Sequence, residues 1–98
     1  MKKRYAVCHE ANVNMTTFHG DTIKIPMAEL TRMFGDPCCA VSEKIQFEWA
    51  FFGPNGSIVT LFDWNSTANA PDKWHVGGLK AEHTRDFVKW FDKIRKVI

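Results

Sequence analysis

Long apolar runs are missing from this sequence, and none approaches the roughly 20 residues of a membrane-spanning helix. No apolar segment of the kind found in secretion signals follows the MKKR start, so the chain reads as cytosolic. Charge of one sign is also scarce. The formal net charge is +2, too small for a duplex-DNA binder, which usually presents a clearly basic face. Cysteine is few and odd in number: Cys8 and the adjacent pair Cys38 and Cys39 do not make a disulfide framework. Together with His9 they lack CxxC spacing, and neighbours on an extended chain point opposite ways, which argues against structural zinc. The histidines form no HxH or HExxH arrangement, and no Ser or Cys sits in a nucleophile elbow. Asp63 and His75 could meet at the mouth of a sheet as an acid–base pair, but too little of a catalytic constellation can be named to expect an enzyme, a metal or a cofactor.

What is present is aromatic. Ninety-eight residues fit one domain, 1–98, with residues 1–4 expected to fray, and a fold of this size buries roughly two-thirds of its unfolded surface. Eight Phe and four Trp exceed what so small a core requires, leaving apolar area for self-association or for stacking a ligand. Lys and Arg gather in MKKR and at Lys89, Lys93, Arg95 and Lys96, where a solvated helix face explains them.

The stretch from Ile45 to Gly78 organises the rest. Ile45, Phe47, Trp49 and Phe51 alternate with Gln46, Glu48, Ala50 and Phe52, as in a strand. Gly53-Pro54-Asn55-Gly56 reads as a hairpin turn, with Pro presetting the first central position and Gly taking positive φ. On the return strand Ile58, Phe62 and Trp64 oppose Val59 and Leu61, so both faces are largely apolar and the strand is central or covered on both sides. Earlier, Tyr5 to His9 alternates as a short strand, and Met15 to Ile25 reads as two strand pieces meeting at Gly20-Asp21. Pro26 opens a helix carrying Met27, Leu30, Met33 and Phe34, which Gly35 closes. A polar loop, 65–73, leads to Trp74-His75-Val76, and from about Leu79 to Ile98 Phe87, Val88, Phe91, Ile94 and Ile98 recur at helical spacing. The expected fold is α+β: a small antiparallel sheet with a central hairpin, one short helix after the first strands, and a long C-terminal helix packed on the sheet.

Gly77-Gly78 before that helix could turn successive N–H groups toward an anion, with Lys80 nearby. A plain strand-to-helix turn accounts for the same glycines. His83 and Arg85, like Lys80, oppose the helix dipole at that end, a penalty of roughly 0.3–1 kcal/mol each that a bound anion would reverse.

Five pieces occur in order: Phe18-His19-Gly20, Phe34-Gly35-Asp36-Pro37, Lys44 with Glu48-Trp49, Phe62-Asp63-Trp64, and Trp74-His75-Val76-Gly77-Gly78. This set, over about residues 15–91, resembles a widespread group of small tailed-phage proteins, similar to the anti-CBASS cyclic-nucleotide sponges. The resemblance implies a homo-oligomer, dimer or tetramer, that sequesters a cyclic dinucleotide such as 3′,3′-cGAMP in the host cytoplasm without cleaving it. On that basis Trp49 or Trp64 would stack a base, Gly77, Gly78, His75 and Lys80 would hold a phosphate, Thr17, Phe18 and His19 would line the opposite wall, and Lys44 would contribute charge; for Trp49 a place in the core is the favoured alternative. The chain departs from the group at Asn65, where Lys is expected, and at Phe62, where Tyr is common. The competing reading is a phage inhibitor that occludes a host defence protein with its apolar surface; an RNA-binding module ranks third, for want of a Lys/Arg-interleaved strand.

Overall fold

The computed structural model describes residues 5–7, 16–37, 44–64 and 71–97. The expectations for Cys8, His9, Cys38, Cys39, Asn65 and the frayed start lie outside them. In chain order the elements are strand β1 (Ala6–Val7), strand β2 (Thr17–Lys24), helix α1 (Met27–Phe34), strand β3 (Glu48–Phe52), strand β4 (Ile58–Phe62), strand β5 (Lys73–Gly78) and helix α2 (Ala81–Val97). The strands form one antiparallel sheet in the order β1-β3-β4-β5-β2, so the expected α+β architecture is the one observed. No helix among the described residues is long and apolar enough to cross a membrane.

The β3–β4 hairpin forms where the alternation placed it, with Glu48 opposite Phe62 and Phe52 opposite Ile58. Between them Pro54–Gly56 makes a single tight turn in which Asn55 (φ 58°) and Gly56 (φ 74°) both adopt left-handed backbone; Asn and Gly are the residues that tolerate it. β4 is the central strand. Two strand pieces were expected over 15–25, whereas β2 is continuous, with a register shift between Phe18 and Thr22. Gly20, at φ 105°, supplies the bulge that lets the strand continue instead of turning.

Odd positions of β3 face the helices. Trp49, Phe51, Val59, Leu61, Trp74 and Val76 are all fully buried there, together with Phe87 and Phe91 from α2. The rings interlock: Phe51 meets Phe87 at 5.0 Å between centroids, and Phe34 meets Phe51 edge-on at 5.0 Å. Trp74 Nε1 donates to the Ile25 carbonyl (2.9 Å) and Trp49 Nε1 to the Gly35 carbonyl (3.0 Å). The two indoles, edge-to-face at 5.2 Å, thus hold the backbone just before and just after α1, which is only eight residues long and too short to stand without tertiary support. Thr84 Oγ1 donates to Asp21 Oδ2 (2.6 Å), tying the first turns of α2 to the β2 bulge and placing a carboxylate at the helix end that favours negative charge.

Candidate functional site

Even positions of β3 and their cross-strand partners face away from both helices and floor a groove of about 640 Å³. Glu48, Thr60, Phe62, His75 and Gly77 form its base, Thr16, Thr17 and Phe18 one side, and Ile45 and Trp64 the other. Gly77 is required by this crowding: a Cβ there would sit 2.6 Å from Thr60 Oγ1 and 3.2 Å from the Phe62 ring. Its missing side chain leaves a flat spot that those two neighbours share.

A chain of rings runs across the groove. Phe18 meets His75 edge-on at 4.8 Å, His75 lies nearly parallel to Phe62 at 5.7 Å, and Phe62 meets Trp64 edge-on at 6.5 Å. Phe18 and Trp64, at the two ends, remain 47% and 49% exposed. Lys44 Nζ stands 5.5 Å from the centroid of the Trp64 ring, a cation–π distance. Beyond His75, Lys24 and Lys73 are directly opposite each other on the same face and both exposed. Like charges so placed are mildly destabilising, and an anion between them would relieve that.

The floor favours uncharged groups. Burial pushes the Glu48 carboxyl above its ordinary value. Burial, reinforced by the Lys73 charge, pushes His75 below its own, and its buried Nδ1 has no hydrogen-bond partner. Such a mostly apolar cleft, with a few convergent polar groups, suits a flat heteroaromatic ligand.

Of the residues expected from sequence, Thr17, Phe18, Trp64, His75 and Gly77 line this groove and Lys44 borders it through Trp64. His19 is exposed beside it on the β2 bulge. Its Nε2 lies 3.0 Å from the Gly78 carbonyl oxygen and 3.1 Å from Thr17 Oγ1; because a carbonyl only accepts, Nε2 carries the proton.

Four expectations are corrected. Trp49 is in the core on the opposite face, fully buried with its N–H satisfied. Gly77 and Gly78 are not a turn that gathers N–H groups: both belong to β5, paired with Thr60 and Val59 on one side and Phe18 and Thr17 on the other, so their backbone is engaged in the sheet. Gly78 is small because Thr84 of α2 packs on it, 2.9 Å from where a Cβ would be. Lys80, exposed ahead of α2, is not among the groove-lining residues. Nor do Asp63 and His75 form an acid–base pair: Asp63 Oδ1 accepts from the backbone N–H groups of Gln46 and Phe47, and Oδ2 from Gln46 Nε2, so this buried carboxylate fastens the entry to β3.

Sequence reasoning did not select Glu48, Thr60 or Phe62 for the site. The signal available was period-two alternation, which puts all three on the face opposite Trp49. Among the described residues no cluster of three His, Cys, Asp or Glu side chains is placed to hold a metal ion. No protein-family model, no curated protein and no solved structure matches this chain.

Proposed function

We propose that this protein binds a cyclic dinucleotide of the 3′,3′-cGAMP kind and sequesters it intact, blunting CBASS defence in the cytoplasm of a bacterium under phage attack. The observation that carries this reading is the aromatic groove on the open sheet face, with Phe18 and Trp64 half-exposed at its two ends and lysines beyond them. A cyclic dinucleotide offers two flat bases for such rings and two phosphates for such cations, and base–aromatic stacking contributes about 1–3 kcal/mol per base. Phosphate contacts fall to Lys44 and to the Lys24–Lys73 pair, in place of the glycines and Lys80. The ligand's two-fold symmetry suits a homo-oligomer in which two copies each offer one groove.

A sequestering protein acts through affinity and stoichiometry; a dissociation constant of about 1 nM corresponds to roughly −12 kcal/mol. The test is thermal unfolding of the purified protein against a panel of cyclic di- and trinucleotides, followed by recovery of the nucleotide from heat-denatured complex. Sequestration predicts a marked rise in Tm with one panel member and its return uncleaved. Cleaved product would make the protein an enzyme. A second reading, occlusion of a host defence protein, draws on Phe52 and Leu79, 43% and 39% exposed outside the groove lining; it predicts no shift across the panel.

A further inference from the structure

Glu48 is the one acid among the described residues that line the groove. It is only 7% exposed, and that burial raises its carboxyl above its ordinary value. Burying a carboxyl is costly. Its strand neighbours Trp49, Ala50 and Phe51 show that an apolar residue would suit the strand at this point. The position is therefore built to meet something that enters the groove.

A carboxylate repels phosphate, so it faces the part of a nucleotide that carries hydrogen-bond donors. That part is a base edge. Guanine sets N1–H and the exocyclic N2 amino group side by side, matching two carboxylate oxygens, whereas adenine presents a donor beside an acceptor. Phe62, directly opposite Glu48, and Trp64, in edge contact with Phe62, provide ring faces for a base held at this point.

Resting on the reading of the groove as a nucleotide site, we propose that Glu48 reads the paired donor edge of a guanine base and is the residue that determines which base the groove accepts. The anionic part of the ligand then points away from Glu48, toward Lys44 at one end or the Lys24–Lys73 pair at the other.

The test is calorimetric titration of the full-length protein with cyclic di-GMP, cyclic di-AMP and cyclic di-IMP, the last being the guanine compound without its N2 amino groups. The expected order is guanine tightest, with the inosine compound weaker by about 5- to 150-fold, as for loss of a bidentate base contact. Glu48→Gln, whose amide sets a donor against a donor, loses a similar factor toward cyclic di-GMP and little toward cyclic di-AMP. Near-UV circular dichroism of the buried tryptophans checks its fold, and the inosine comparison needs no variant. Equal affinity for all three compounds, tighter binding of cyclic di-AMP, or an unchanged cyclic di-GMP affinity in a folded Glu48→Gln protein overturns the role of Glu48 while nucleotide binding stands. No binding of any of the three by the parent overturns both.

Discussion

The two faces of the sheet are made by alternate residues of the same strands, yet they serve opposite ends. On the helix-covered face Trp49, Phe51, Val59, Leu61, Trp74 and Val76 are completely buried, and both indole N–H groups find carbonyls. One residue over in each strand, the open face holds a buried acid, a histidine with an unsatisfied nitrogen, and aromatic rings half in solvent. The first face is arranged for stability. The second tolerates what a stable core would exclude, and the proposal of a binding face rests on that contrast.

The sharpest way to break the comparison is to swap damage between the faces. Phe87→Ala or Trp74→Ala, on the covered face, should lower the unfolding free energy by about 3–5 kcal/mol, read as a fall in the urea midpoint. If either variant were as stable as the parent, the covered face would not be the core. Next, Gly77→Val drives a branched side chain into Thr60 and Phe62; the overpacking is expected to destabilise by about 1–3 kcal/mol and to fill the groove, so nucleotide-induced Tm shifts should vanish in the folded fraction. Trp64→Ala separates the faces most cleanly. Stability should change by no more than about 0.5 kcal/mol, as for an exposed residue, while affinity for the bound nucleotide falls by about 1–3 kcal/mol of stacking. A Trp64→Ala protein that unfolds early but binds normally would invert the assignment.

The smallest effects are in the pH dependence, and they have opposite signs at the two polar groups of the open face. Burial raises Glu48 from its ordinary 4.5, so its contribution to stability is complete below 4.5 and is lost as pH rises through the higher folded value. Glu48→Gln should therefore stabilise the protein at neutral pH, with the advantage disappearing in acid. Burial and Lys73 lower His75 from 6.5, so its contribution is present above 6.5 and is lost as pH falls through the lower folded value. His75→Gln should flatten that acid-side loss. Melting curves of the parent and both variants from pH 4 to 8 measure the two contributions separately.

Much of this was legible from residue order. Pro26 and Gly35 bound α1 because one lacks the N–H a first turn does not need and the other accepts left-handed backbone, properties that hold wherever the residues occur. The central hairpin announced itself in the same local way. The candidate site was only half legible. Trp49 and Trp64 are chemically identical, and choosing between them required knowing which strand face the helices cover. Glu48 carries no local sign of its burial, because a glutamate on a strand face ordinarily points to water. Gly77-Gly78 looked like a phosphate loop because glycine's freedom and its small size leave the same trace in a sequence; here size is what counts, against Thr60 and Phe62 on one face and Thr84 on the other.

The sequence by itself determined the helices, the hairpin, the α+β class and the existence of two different strand faces, because each follows from interactions within a few residues. Only the tertiary structure decided which face receives α1 and α2 and which becomes the groove. Both faces of β3 and β4 are largely apolar, so hydrophobicity does not choose between them. The choice is made by pairings between distant segments, Thr22 with His75 and Thr60 with Gly77, which bring Phe18, Glu48, Trp64 and His75 around one space.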